Sequence, residues 1–308
     1  MSQDYKQIIQ REYLNCVKSP VHFMKKYCKI QHPTKGKIKF NLYDYQQEML
    51  TDFVDNRYNI ILKSRQLGIS TLSAGYSLWM MLFNQDKNIL VIAKDKDTAK
   101  NLVTKVRIMY ANLPQWLKTK VIEDNKLSLV FSNGSQIKAV AATAEAGRSE
   151  ALSLLVIDEA AFIDKIDSIW TAAQQTLATG GDCIALSTPN GVGNWFHQQW
   201  MGALDGSNKF NTIKLHWTCH PERDEAWRAE QDKVLGPSQA AQECDADFLT
   251  SGESVVDPQI LSWYKENQVC EPVEKLGVDN NLWIWEQPDY TKEYIVVADV
   301  ARGDGTDF

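Results

Sequence analysis

The sequence predicts an α/β protein with a mostly parallel central sheet, and three observations carry that reading. Four short segments, NIILKS (59–64), KNILVIAK (87–94), SLLVIDEAAF (153–162) and DCIALSTPNG (182–191), hold compact apolar runs with the length and composition of buried strands. Helix-forming stretches separate them, which is the pattern of a parallel α/β sheet. Three of the four run directly into a polar motif.

The elements follow in order. Residues 5–29 read as helical, with apolar residues at mixed spacings of three and four. HPTKGKIKF is a turn leading into a short extended piece, and LYDYQQEMLTDFV (42–54) again has helical period. STLSAGYSLWMMLF (70–83) is apolar or small all round, so it predicts a buried helix. DKDTAKNLVTKVRIMYANL (95–113) is amphipathic, with Asp95 or Asp97 placed to cap it and a proline beyond its end. LSLVFSNGSQIKAVAA (127–142) reads as two strands joined at Asn133–Gly134. KIDSIWTAAQQTLA is helical, and residues 194–249 read as helices and irregular segments. SGESVVDP (251–258) is turn-rich and marks a boundary, and EYIVVADV (293–300) is a new strand shortly before the last residue. The expected division is 1–250 as the main domain with its helical N-terminal extension and a C-terminal subdomain. A linker at 251–290 and the first strand of a second domain at 291–308 complete it.

The bulk numbers exclude several classes. The chain has 308 residues, is 44% hydrophobic and 23% charged, and has a formal net charge of −6. No apolar run of ~20 residues is present to cross a membrane. The opening MSQDYKQIIQREYL is polar and carries acids, unlike a signal peptide, so a cytosolic setting is expected. Six cysteines stand singly without a CxxC pair, which suggests reduced, mostly buried thiols. The spacing of His216, Cys219, His220 and Cys244 matches no common zinc pattern. The negative charge means that any nucleic-acid contact must use a local basic patch.

Chemistry concentrates at the ends of the apolar strands. The phosphate-loop pattern is G-x-x-x-x-G-K-[ST]. Aligned on Gly68, this chain reads K-x-x-x-x-G-I-S: Lys63 stands at the first position and Ile69 where lysine is usual. Backbone N–H groups of such a loop and the following helix start can still cradle phosphate oxygens. Ser70 or Thr71 can supply a hydroxyl to Mg²⁺, and Lys63 or Arg65 can reach the phosphates from the loop's N-terminal limb. A strand–turn–helix with no ligand fits the segment equally well. LLVIDE (154–159) adds weight. Asp158 suits a magnesium-binding aspartate and Glu159 a carboxylate that polarises attacking water. The alternative is a strand end whose acids are simply solvated. Phosphate loop, intervening strand, Asp-Glu, then a strand ending in STPNG is the order of the P-loop class with an additional strand and a catalytic glutamate, a RecA-like arrangement.

These segments resemble the large terminase subunits of tailed bacteriophages, and the resemblance covers most of the chain. LYDYQQEML is similar to that family's glutamine motif, with Gln46 at the adenine-reading position. SRQLGIS (Ser64, Arg65, Gln66, Leu67, Gly68, Ile69, Ser70) is similar to its phosphate loop, most often seen as SRQLGKT. Some members carry a displaced lysine at the loop's start, where Lys63 stands. LLVIDEAAFID resembles its Walker B motif. STPNG resembles its coupling motif, with Ser187, Thr188 and Asn190 on the polar positions. Arg148 falls where the family often has an arginine finger, and a solvated loop arginine is the alternative. IVVADVARGDGTDF resembles the first strand of the family's RNase H-like nuclease, with Asp299 as its first metal-binding aspartate and Asp307 as a possible second acid. The resemblance implies ATP and Mg²⁺ as cofactors. It implies double-stranded DNA, a portal protein, a small terminase subunit and further copies of the chain in a ring as partners, in the host cytoplasm. The remaining nuclease acids would lie beyond Phe308, so this chain by itself is expected not to cut DNA. Another DNA translocase or helicase, or a nucleotide-binding domain without hydrolysis, is the competing reading. The tryptophans, among them Trp195, Trp200 and Trp217, can stack bases or fill a core, and the lysines of 94–105 can be a solvated face or a DNA track.

Overall fold

The computed structural model describes residues 3–143, 151–248, 260, 263–264, 267–277, 282–293 and 295. The chain divides into two compact units, Met1–Gln259 and Ile260–Phe308.

The first unit opens with helices α1 (Gln3–Lys18) and α2 (Pro20–Tyr27), broken at Ser19–Pro20. Proline cannot donate the hydrogen bond that would continue α1, and the Ser19 side chain caps α2 through the His22 N–H. An antiparallel hairpin follows, β1 (Lys29–His32) and β2 (Gly36–Lys39), then α3 (Asp44–Asp55). The main sheet then begins. Its strands are β3 (Tyr58–Lys63), β4 (Asn88–Ala93), β5 (Val121–Asn125), β6 (Ser128–Phe131), β7 (Gln136–Ala141), β8 (Leu154–Asp158), β9 (Asp182–Ser187) and β10 (Asn211–Leu215). Helices α4 (Ile69–Phe83), α5 (Lys96–Ala111), α6 (Ile166–Leu177) and α7 (Trp195–Leu204) pack on it, and α8 (Glu225–Leu235) and α9 (Pro237–Cys244) follow β10.

The spatial order is β10-β3-β9-β8-β4-β7-β6-β5. The six strands from β10 to β7 are mutually parallel, and β6 and β5 add an antiparallel edge. The central strands are apolar on both faces because both are covered. Along β4, Ile89, Val91 and Ala93 enter one apolar cluster with α3, α4 and α5, while Leu90 and Ile92 enter another with α6 and α7. The same alternation runs along β8, giving a three-layer sandwich. Trp195, Trp200 and Trp217 are buried, which is the core reading of those rings.

Several elements depart from expectation. Residues 194–249 contain β10, a parallel edge strand whose NTIKL has little apolar content to signal it. β5 is an exposed edge strand, so its VIEDN carries no alternating pattern. β6 and β7 pair antiparallel on either side of Asn133–Gly134 as expected, but only Gly134 is left-handed (φ +81°), so the turn is not the two-residue type that Asn-Gly favours. In the second unit a small hairpin, β11 (Glu274–Leu276) with β12 (Leu282–Ile284), falls within the expected linker. Of the strand expected at 293–300 only Glu293 and Ile295 are described, neither in a strand, and the rest of it with the acids Asp299 and Asp307 lies outside the described residues. So does the start of an RNase H-like domain.

One carboxylate ties α1 to α2, beside the packing of Cys16 and Tyr13 against α4. Glu12 on α1 accepts from Lys26 Nζ at 2.7 Å, Tyr27 OH at 2.8 Å and His22 Nε2 at 3.2 Å, all on α2. Lys26, Tyr27 and His22 hold the Glu12 carboxyl down from its ordinary 4.5 to about 2. A depressed carboxylate stabilises fully above its ordinary value, and that contribution is lost as pH falls from 4.5 toward 2. Intrinsic-rate-corrected hydrogen exchange should therefore show α1 losing protection between about pH 5 and about pH 2, ahead of α4. In Glu12→Gln the helix should already be weakly protected at the upper end of that range.

Candidate nucleotide site

The polar motifs converge because parallel strands deliver their C-terminal ends to one edge of the sheet. Leu62 of β3 is in register with Ser187 of β9, and Leu186 of β9 with Asp158 of β8. β9 thus lies between the strand that feeds the phosphate loop and the strand that ends in Asp158.

The loop from Ser64 to Gly68 turns through left-handed backbone at Gln66 (φ +58°) and Gly68 (φ +77°) into α4. Gly68 is required on two counts. Its φ suits glycine, and an added Cβ would lie 2.8 Å from Gln46 Nε2. Gln46 is buried, and both ends of its amide are engaged. Oε1 accepts from the Tyr43 N–H at 3.2 Å, closing the start of α3, and Nε2 donates to the Leu67 carbonyl at 3.0 Å. Tyr45 OH donates to the same carbonyl at 2.9 Å.

From the other side the loop is held by Arg223, which precedes α8. Its guanidinium donates to the carbonyls of Arg65 (3.0 Å) and Gln66 (3.2 Å) and to Ser64 Oγ (3.3 Å), and it stacks 4.3 Å from the Trp227 ring centre. α9 adds a second hold. The Arg65 N–H donates to the Glu243 carbonyl at 2.7 Å, and the Arg65 guanidinium pairs with Glu243 Oε1 at 2.9 Å. Nothing in the local sequence around Arg223 or Glu243 marks them, because they lie far beyond the loop in the chain and meet it only through β10.

Ile69 is 2% exposed and packs in the apolar cluster under α4, so its side chain belongs to the core. Lys63 is partly buried. Burial pushes its ammonium down, and the nearby carboxylates of Asp158, Glu159 and Glu243 oppose that shift. Ser70 and Thr71 are half-buried in the first turn of α4.

Asp158 is 5% exposed, and its Oδ1 accepts the Glu159 N–H at 3.0 Å. Glu159 sits in left-handed backbone at φ +55°, a conformation that costs a non-glycine residue of order 1–3 kcal/mol. Burial, then the Asp158 charge, pushes its carboxyl up, and Lys63 opposes. The turn that follows is tied to β9. Ser187 Oγ accepts the Ala161 N–H at 3.1 Å, and Asn190 Nδ2 donates to the Ala161 carbonyl at 3.1 Å. Thr188 is buried between them in sequence. Gln242 on α9 donates to the Pro189 carbonyl at 3.2 Å. Among the described residues no group of three His, Cys, Asp or Glu side chains is arranged to hold a metal. His216 instead hydrogen-bonds Thr218, and His220 packs on Tyr43. Arg148 lies outside the described residues.

A cavity of about 460 Å³ opens beside the loop. Gln66, Leu67, Gly68 and Thr71 line one end, and Tyr43, His220 and the β1–β2 hairpin line the other. That volume is in the range of small-molecule sites, ~300–1,000 Å³.

A left-handed glycine before a helix, an Asp-Glu pair at a strand end and an additional strand between them define a P-loop NTPase of the RecA-like, additional-strand class. Residues 60–277 match the family described as "Terminase large subunit, T4likevirus-type, N-terminal", and the chain belongs to it. It is 23% identical over 217 residues to the Mu-like prophage FluMu protein gp28 of Haemophilus influenzae, covering 61% of this chain and 42% of that protein. The chain thus spans well under half of that relative's length. The fold is shared with the large terminase ATPase domain of Thermus phage P74-26 (TM-score 0.56, 20% identity, 68% of this chain and 94% of that one). It is also shared with the HK97 bacteriophage large terminase (TM-score 0.60, 17% identity, 76% and 55%). A third neighbour is the large terminase of a thermophilic bacteriophage in complex with ADP (TM-score 0.54, 14% identity, 66% and 52%).

Because Arg223 holds two loop carbonyls, Arg223→Ala should raise hydrogen exchange of the 64–68 amides about 5–30-fold, as expected for losing charged hydrogen bonds of ~1–2 kcal/mol. Arg223→Lys should recover only part, since an ammonium cannot fork to two carbonyls. Unchanged exchange at the loop would remove this role.

Proposed function

We propose that the chain is the ATP-hydrolysing part of a viral DNA-packaging motor. The observation that carries the reading is the convergence of three motifs on one sheet edge, with β9 hydrogen-bonded through Ser187 and Asn190 to the turn after Glu159. The relatives' names, large terminases and in one case an ADP complex, support it.

The residues fit ATP with Mg²⁺. The Ser70 hydroxyl and the Asp158 carboxylate are hard oxygen donors suited to that ion. Bound ATP·Mg²⁺ supplies the phosphoanhydride bond and the charge-neutralising cation. The N–H groups of residues 66–70 would face the phosphates, while the carbonyls of residues 65–67 are held away by Arg223, Tyr45 and Gln46 and the Arg65 N–H is taken by the Glu243 carbonyl. Lys63 supplies the positive charge usually given by the residue at position 69. Glu159 orients and deprotonates the attacking water, and its upward shift moves it closer to the operating pH of a general base. Ser187, Thr188 and Asn190 transmit the change at the γ-phosphate position to the turn at 160–162, and α9 carries it to the loop through Gln242 and Glu243. Gln46 acts as a brace under the loop in this arrangement, beside its suggested part in reading adenine. Arg148 in a neighbouring copy would complete the charge on the transferring phosphoryl group. Double-stranded DNA, a portal protein, a small terminase subunit and a ring of copies are the partners this reading implies. Cleavage of the genome would belong to a longer chain that includes Asp299 and further acids.

Steady-state ATP hydrolysis with duplex DNA tests this. Glu159→Gln should lower kcat by about 10²–10⁴ with nucleotide affinity within a few-fold, and Lys63→Ala should lower it by about 10²–10³. A Lys63→Ala chain that kept wild-type rates while Arg65→Ala lost them would move the cation role to Arg65. Because Glu159 must be ionised, kcat should fall on the acid side, with its midpoint above the carboxyl's ordinary 4.5. In Glu159→Gln that limb should vanish.

A further inference from the structure

The charge of this chain is unevenly placed. Between Tyr13 and Tyr43 there are seven lysines, at 18, 25, 26, 29, 35, 37 and 39, and no acidic residue, although the chain is net −6. All 39 acids lie elsewhere. Lys18 ends α1 and the other six fall on α2 and the β1–β2 hairpin, and all seven are exposed. Lys29 is directly opposite Lys39 across the hairpin, and Gln31 opposite Lys37, so three ammonium groups share its outer face. Like charges directly opposite destabilise a strand pair. Lys39 also borders a depression of about 500 Å³ shared with Ser19, His22, Lys25 and Lys26, which joins the hairpin face to α2. Among the described residues only Lys26 of the seven forms an ion pair, with Glu12.

A solvated surface ordinarily intersperses both signs. This one repels itself, and its stability therefore improves when an external polyanion lies on it. Protein interfaces are depleted in lysine and enriched in arginine and aromatic anchors. Here no arginine is present, and none of the exposed large apolar side chains falls between Lys18 and Lys39. Single-strand sites use exposed aromatic platforms, also missing from this face. Flexible point charges without anchors suit a uniform line of phosphates, contacted without reading sequence.

We propose that the lysine face of α2 and the β1–β2 hairpin is a contact for the phosphate backbone of duplex DNA. The assignment rests on the motor reading for the identity of the polyanion, and it places the contact on the module whose inner side walls the nucleotide cavity.

The test is fluorescence anisotropy of the 308-residue chain with a random-sequence duplex across a salt series. The comparison variant is Lys25→Gln/Lys29→Gln/Lys37→Gln, which spares the cavity-lining Lys35 and Lys39. Each lost phosphate contact should make the log K against log[salt] slope shallower by about 0.9. With three lost, the wild type should shed about fortyfold more affinity than the variant between about 50 and 200 mM salt. Melting temperature should equal or exceed that of the wild type, since like-charge repulsion is relieved, and nucleotide affinity should match. Identical slopes in the two chains would overturn the assignment. So would no duplex binding by the wild type at the low-salt end, or poly-glutamate binding with the duplex's affinity and slope, which would make the face a dock for an acidic protein. A chain that binds duplex through these lysines yet hydrolyses no ATP would sink the motor reading and leave the contact standing.

Discussion

The constraint on which the site depends is the direction of a few carbonyl groups. A loop can offer its N–H groups to an anion only if its carbonyls point away, and carbonyls turned into protein need donors. Leu67 receives two, from Tyr45 and Gln46, and Arg65 and Gln66 share the guanidinium of Arg223. The left-handed backbone at Gln66 and Gly68 is sustained by these bonds. The loop's shape thus comes from outside it, while Ile69, where lysine is usual, is buried in the core and the Lys63 ammonium stands at the strand end.

The second consequence is mechanical. The loop, the Asp158–Glu159 corner and the 187–190 segment are joined by short hydrogen bonds through β9 and α9 rather than by one continuous element. α9 touches two of them, with Gln242 on the coupling segment and Glu243 on the phosphate loop. The Arg65 side chain in that contact is 64% exposed. Its ion pair is screened and weak, so it can be exchanged for another anion at little cost. Glu159, like Gln66 in the loop, is a non-glycine residue in left-handed backbone, and hydrogen bonds at Asp158 and Ala161 flank it on either side.

Charge separates the faces of the molecule in the same way that polarity separates its layers. The sheet edge gathers acids and the Lys63 ammonium, while α2 and the first hairpin carry lysines alone. That hairpin contributes Ile30, Ile38, Lys35 and Lys39 to the cavity beside the loop, while Lys29 and Lys37 are exposed and lie outside that lining.

What the sequence by itself determined is the part encoded at short range. Apolar runs such as NILVIA and LLVID declare buried strands, because a strand covered on both faces has no polar positions to interrupt it. Gly68, the Asp158–Glu159 pair and Ser187 could be read where they stand, since each works from the end of its own strand. Edge strands β5 and β10 were illegible, being short and half-polar, whereas Asn133–Gly134 was legible as the joint between β6 and β7 although the connection runs over four residues, 132–135. The tertiary structure alone decided that Arg223 and Glu243 brace a loop near residue 65, that Gln46 is engaged at both ends of its amide, and that Ile69 is core. These contacts link residues about 20 to 180 positions apart, and hydrogen-bond donors carry no mark in sequence of which distant carbonyl they will meet.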